Sequence, residues 1–413
     1  MTDHTFHPMR ATNANATTTQ TTLDLLFLCG CAVSGTVPGA RELAAINLHE
    51  VWDLAEQQSM QGCVAVALFE AHEHGNLQNA ASDELSAWQR ALSSYARRAM
   101  LLDAERDRIF SWLDEHKIRH AQLKGSLMKD LYPRLGMRYM ADNDFWFDAR
   151  HAKELRAFME SYGYHCNEFG TGAHDAYVKA PLYNFEPHRT LFDSATNRKW
   201  HEYFDSAVAH APTVKGTACE VRLTLEDFYL HHVCHAAKHL WGSGTGVRVL
   251  VDEWVLLQRL GDQLDRTRLD AKLKSLDVAR LDEQLRRVAH TLFTASAPLR
   301  TEDLPSEDRH LLEVMSVSGT YGTSHQHVVN NINQLKAETG KNKHLSARYI
   351  LNRLFPSTET LATWFPILRR FPWMYPAVWL FRLVRFGLTD RRNKLKVEVS
   401  ALREIHHSED AGN

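Results

Sequence analysis

Two short runs, Ile118–Leu123 (IRHAQL) and Asp142–Phe147 (DNDFWF), interrupt a chain whose apolar residues otherwise recur at helical spacing. Strand-like alternation sends successive side chains to opposite faces, so both runs need a sheet to belong to. The first stops at Gly125, and a helix over Leu127 to Leu131 follows, closed by the turn Tyr132-Pro133. The second leads to a helix from His151 to Tyr162, and a third short strand is expected at Leu182 to His188. Strands and helices in this order read as a small sheet domain with helices packed on it. From Leu23 to Tyr95, and again beyond Leu225, the periodicity is helical, with breaks at Pro298, Pro305, Pro356, Pro366, Pro372 and Pro376. The expected fold class is α+β, a small mixed-sheet core embedded in mainly helical N- and C-terminal domains. The expected divisions are an unfolded polar tail at 1–22, a helical region at 23–96, the sheet core at 97–220, a helical domain at 221–300 that closes over the core, and a C-terminal helical region at 301–413.

Of the 413 residues, 44% are hydrophobic and 24% charged, which excludes wholesale disorder. The formal net charge of −2 argues against coating nucleic acid through global charge, so any anion must meet a local site. The six cysteines (Cys29, Cys31, Cys63, Cys166, Cys219, Cys234) contain no CxxC pair. Reduced thiols and a cytoplasmic location are therefore expected. Leu25 to Gly39 reads as a first packed helix, because the Thr/Asn-rich lead before it has no cluster of basic residues.

Asp142 and Asp144 sit at i and i+2, so both carboxylates project from one face of their strand. Side by side they repel, and a hard divalent cation, Mg²⁺ or Mn²⁺, relieves that cost by taking oxygen ligands from both. The plainer alternative is a polar strand end in water. Upstream, Lys124-Gly125-Ser126 is a turn that opens a helix and can offer backbone N–H groups and one cation to phosphate oxygens. Downstream, Glu186 lies on the third strand, in Asn184-Phe185-Glu186-Pro187-His188-Arg189. A pair plus a third carboxylate is the ligand set that two-metal nucleotidyl transfer requires.

These residues resemble the polymerase-β-like nucleotidyltransferase superfamily, in particular a bacterial branch described as uncharacterised nucleotidyltransferases and frequently met near polysaccharide-biosynthesis genes. The similar stretches are LKGSLMKDLYPRLGMRYMADNDFWF, YNFEPHRTLF and FYLHHVCHAAKHLWGSGTGVRVLVDEWVLL, with a weaker one through GTYG and RLFPS; together they run from about residue 97 to about 390. The resemblance implies an NTP substrate with Mg²⁺ or Mn²⁺, metals held by Asp142, Asp144 and Glu186, and phosphates met by Gly125 and Ser126. It also implies that Lys238, His239 and Arg248 face the cleft and contact the triphosphate. Two features depart from the branch: Asn143 stands where an apolar residue is usual, and the gap from Gly125 to Asp142 is long, which suggests a lid or substrate loop at Pro133 to Met140. A non-catalytic nucleotide-binding or scaffold protein on the same fold is the alternative from another class.

His231, His235 and His239 share a helix face at i, i+4 and i+8, with Asp252 on the next helix. They could form a Zn²⁺ constellation, making the chain a histidine-metal phosphohydrolase, or they could line a polar groove. Gly242 to Gly246 (GSGTG) lacks the Lys-Ser/Thr of a P-loop and reads as an inter-helix turn, while Arg138 can bridge to phosphate or pair with Asp142. Finally, Trp364 to Lys396 carries eight basic residues (Arg369, Arg370, Arg382, Arg385, Arg391, Arg392, Lys394, Lys396) against Asp390, with aromatics interleaved. Such a segment suits peripheral contact with anionic lipid, or more simply a terminal helix that packs its aromatics and turns its arginines to water.

Overall fold

A computed structural model of the chain describes residues 13–77, 82–319, 355–358, 361–362, 365 and 367–388. The first helix, α1 (Asn13–Ser34), starts inside the stretch expected to be unfolded. Thr19 and Thr22 are fully buried, and the Thr22 hydroxyl lies 2.8 Å from that of Ser316. The expected tail at 1–22 is thus corrected for residues 13–22, and residues 1–12 lie outside the described residues. Threonine composition misled because a helical threonine can return its hydroxyl to the preceding turn, as Thr22 does to the Thr18 carbonyl. The same helix then buries Leu25, Leu26, Leu28 and Cys29 completely, as a helix apolar all round must.

Around α1 pack α3 (Leu48–Gln57), α4 (Gln61–Glu73), α10 (Arg248–Leu260), α12 (Ala279–Phe293) and α13 (Ser306–Ser318), after the short α2 (Ala40–Ala44). Their starts follow local capping chemistry. Asn47 accepts the N–H groups of His49 and Glu50 ahead of α3, and Thr224 accepts that of Asp227 ahead of α9 (Leu225–Trp241). One hydrophobic core joins the N-terminal helices to α8 (Arg198–His210), α9, α10, α11 (Arg266–Ser275), α12 and α13. Between the two sets runs α5 (Ser82–Glu115), unbroken through the expected division at 96/97. Trp88 and Leu92 belong to the helical core, whereas Leu102, Ile109 and Leu113 lie beneath the sheet.

The sheet has five strands, β1 (His120–Gln122), β2 (Asn143–Phe147), β3 (His165–Glu168), β4 (Ala176–Lys179) and β5 (Tyr183–His188), in the order β1-β2-β5-β4-β3. The β2/β5 pair is parallel and the other pairs are antiparallel, so the sheet is mixed as expected. Short α6 (Lys124–Lys129) follows β1, and α7 (Ala152–Ser161) connects β2 to β3. One face buries Phe145, Phe147, Tyr177 and Phe185 with Leu155 and Met159 of α7. The other carries Asp144, Trp146, Glu186 and His188 toward α6 and α9.

Residues 133–140 are an anchored segment, not the expected lid. Met137, Arg138 and Met140 are buried, and Arg98 donates to the carbonyls of Met140 and Ala141 at 2.6 Å each. Gly136 takes a φ of +92°, and its carbonyl comes so close to Gly62 that a Cβ there would collide with it.

At the C-terminal end, α14 (Ile367–Arg370) and α15 (Tyr375–Leu388) form a small separate cluster with Leu361 and Ala362. Tyr375 and Trp379 pack against this cluster, whereas Trp373 is 77% exposed and Phe381 56%, so the aromatics pack inward only in part. Arg391, Arg392, Lys394 and Lys396 lie outside the described residues. All six cysteines are free thiols. Among the described residues, no helix is long and apolar enough to cross a membrane.

Candidate active site

The parallel register of β2 and β5 sets Asp144 directly beside Glu186. Asp142, two residues before Asp144, shares its face. The carboxylate oxygens of Asp142, Asp144 and Glu186 converge to within 4.8 Å of one another. Lys124, at the start of α6, brings its ammonium to 3.5 Å from Asp144 Oδ2, and His188 Nε2 lies 3.5 Å from Asp144 Oδ1.

Three converging carboxylates cannot all ionise at ordinary pKa values when water is displaced from them. Burial, then Asp144, pushes Asp142 up. Burial, then Asp144 and Asp142, pushes Glu186 up to about 7. Burial also works against the charged form of Asp144, yet Lys124 and His188 outweigh it and hold that carboxyl well below the usual range. Asp144 Oδ1 is buried without a hydrogen bond. An orphaned oxygen among three converging carboxylates is a donor set that fits a hard divalent cation such as Mg²⁺ or Mn²⁺.

The other expected residues divide. Lys124, Gly125 and Ser126 form the first turn of α6, but Ser126 is fully buried and its hydroxyl donates to the Leu123 carbonyl at 2.9 Å. The Ser126 hydroxyl is thus a structural link, and any phosphate contact at this turn falls to its backbone N–H groups and to Lys124, the groups the sequence offered for it. Lys238 and His239, on the last turn of α9, sit in the electrostatic reach of Lys124 and Asp144. Burial, then Lys124, depresses Lys238, and burial, Lys124 and Lys238 bring His239 down to about 3. Arg248 opens α10, lies close enough to favour ionisation of Asp142, and donates to the Tyr139 carbonyl at 3.4 Å.

The expected helix-face zinc constellation does not assemble. His235 Nε2 takes a hydrogen bond from Lys124, and His239 Nε2 lies 3.0 Å from the same nitrogen. The His231 ring meets Phe192 and Phe204 edge-on. Asp252 is held by Arg138 (Nε–Oδ1 2.7 Å, Nη2–Oδ2 3.0 Å) and by the Tyr132 hydroxyl at 2.7 Å. Arg138 thus pairs with Asp252, not with Asp142. The GSGTG segment is an inter-helix turn, as expected, with Gly244 at φ +93°.

Two histidines escaped the sequence reading. His174 and His188 face each other across an isolated bridge, and His174 Nε2 lies 3.4 Å from Glu186 Oε2. His188 stands two residues after Glu186, so the period-two argument used for Asp142 and Asp144 would have found it. His174 sits in a glycine-bearing connection whose sequence carries no such signal.

The mixed sheet thus gathers three carboxylates on one face, next to Lys124 of α6. The chain belongs to the uncharacterised nucleotidyltransferase family, whose model matches residues 44–294. That match reaches back into α3 and α4, which the motif resemblance left uncovered, and stops before GTYG and RLFPS. Neither the curated proteins nor the solved structures contain a match to this chain.

Proposed function

We propose that this chain is a Mg²⁺- or Mn²⁺-dependent nucleotidyltransferase that moves a nucleoside monophosphate from an NTP to an acceptor hydroxyl or phosphate, with release of pyrophosphate. The observation that carries this reading is the convergence of Asp142, Asp144 and Glu186 within 4.8 Å on one sheet face, in a chain of a nucleotidyltransferase family. Divalent ions held by these carboxylates would neutralise the charge on the transferring phosphoryl group and activate the acceptor. Lys124 and the first turn of α6 would orient the phosphates, while Lys238, His239 and Arg248 would close on the triphosphate from the helical side. Asp144 is buried and Asp142 and Glu186 are half-buried, which strengthens the charge contacts made there.

The test is pyrophosphate release from each of the four common NTPs with Mg²⁺ or Mn²⁺, in the presence of candidate sugar phosphates as acceptors. Sugar phosphates enter because the family resemblance implies polysaccharide biosynthesis. Asp144→Asn should lower turnover by on the order of a hundredfold or more. Turnover within a fewfold of wild type would show that the carboxylates are not the metal ligands, and tight NTP binding without turnover would favour a nucleotide-binding scaffold.

A further inference from the structure

The geometry points to a second metal site: we propose that His174, His188 and Glu186 bind a borderline transition-metal ion of the Zn²⁺ class, beside the all-oxygen site of Asp142 and Asp144. Glu186 is common to both, but this inference does not require nucleotidyl transfer. The ligand atoms of the three residues lie within 4.8 Å of one another. Their placement follows from register, since Glu186 and His188 are i and i+2 on β5 and His174 bridges to His188 from the facing segment.

One pair of ligand atoms already has the spacing that a single ion requires, and His188 lies within 4.8 Å of both. His174 Nε2 and Glu186 Oε2 are 3.4 Å apart. Two ligand atoms bound to tetrahedral zinc at roughly 2.0–2.1 Å lie about 3.4 Å from each other. The His188 side chain is only 12% exposed, and neither of its ring nitrogens has a hydrogen bond. Its Nε2 has only the 3.5 Å contact with Asp144 Oδ1, and a buried ring nitrogen without a hydrogen bond is costly, a cost that a metal bond relieves. Two imidazoles and one carboxylate form a three-ligand zinc set with an open fourth position. Imidazole also separates this site from its neighbour, because Mg²⁺ takes oxygen ligands and Zn²⁺ accepts nitrogen readily.

The test uses the full chain, stripped of metal by a chelator and titrated with Co²⁺ alone while visible absorption is followed, then with Zn²⁺ in competition. The expected result is a Co²⁺ ligand-field band that saturates at one equivalent and is abolished by Zn²⁺. His174→Ala should weaken Zn²⁺ by on the order of tenfold or more and remove the band, whereas Asp142→Asn should leave Zn²⁺ affinity within about threefold. His174 has a one-third exposed side chain outside the strands, so its variant should melt like wild type, and His188→Gln provides a second reading. Absence of the band, or wild-type Zn²⁺ affinity in His174→Ala, would overturn the proposal. Nucleotide turnover is not the readout, so a failure of the transferase reading would leave this result standing.

Discussion

Asn143 stands between the two aspartates but points to the opposite face of β2. It is fully buried there, and neither its side-chain oxygen nor its nitrogen has a hydrogen-bond partner. Its register partner is Phe185, one of the aromatics of the sheet's inner core. An amide left unpaired in such a place costs roughly 1–3 kcal/mol. Asn143→Val, which supplies a β-branched apolar side chain to a strand, should therefore raise the unfolding free energy by about 1–2 kcal/mol. Urea denaturation measures this, and a loss of stability would mean that the amide is satisfied. At this level the sequence was legible wherever a period of two applied: Asp142, Asp144 and Glu186 came from alternation. The Lys124-Gly125-Ser126 turn was legible for its backbone N–H groups, but not the direction of the Ser126 hydroxyl, which depends on how α6 seats on β2.

The segment from Tyr132 to Met140 shows how elements, more than single residues, fix the site's frame. Arg138 leaves this segment to form a forked pair with Asp252 of α10, and Tyr132 donates to the same carboxylate. Both partners of the pair are buried. Removing one of them strands the other charge, which costs about 3–5 kcal/mol, whereas an apolar pair of similar volume is close to neutral. Arg138→Met should accordingly lose about 3–5 kcal/mol of stability, and adding Asp252→Leu should restore most of it. Equal or additive losses in the double variant, read by chemical denaturation, would contradict a paired role. The pair also has an acid limb. Burial favours protonation of Asp252, but Arg138 outweighs it and holds the carboxyl below its ordinary value. With the folded pKa depressed, this stabilisation is present above about pH 4 and disappears as pH falls through the folded value. The sequence showed a long Gly125-to-Asp142 gap and suggested a lid. Its closure onto α5 and α10 was not readable, because Arg98, Arg138 and Asp252 are brought together by tertiary packing alone. β3 and β4 were missed for a related reason: β3 (HCNE) is short and largely exposed, and it lacks the apolar alternation that marks a strand.

The helical core and the sheet together decide what charge surrounds the three carboxylates. α9 and α10 were recognisable from their periodicity, and their placement over the carboxylate face brings cations to a site that is otherwise acidic. Lys124, Lys238 and Arg248 approach Asp142, Asp144 and Glu186 from α6, α9 and α10, while Arg138 is already committed to Asp252. Lys238 is disfavoured as a cation first by burial and then by Lys124, a repulsion that a polyanion between them would relieve. Each charge-assisted phosphate contact contributes on the order of 1.5–3 kcal/mol, or roughly 10- to 150-fold in affinity. Lys238→Ala and Arg248→Ala should each weaken NTP binding by about tenfold or more, and the residual binding should depend less on salt. Arg248 also donates to the Tyr139 carbonyl, so its variant needs a melting curve alongside the titration. Lys238 provides the cleaner measurement, because its ammonium acts on the site through its charge. Unchanged nucleotide affinity in both variants, with melting temperatures intact, would mean that the helical domain covers the sheet without contributing to phosphate binding, and the closed-cleft arrangement would be wrong.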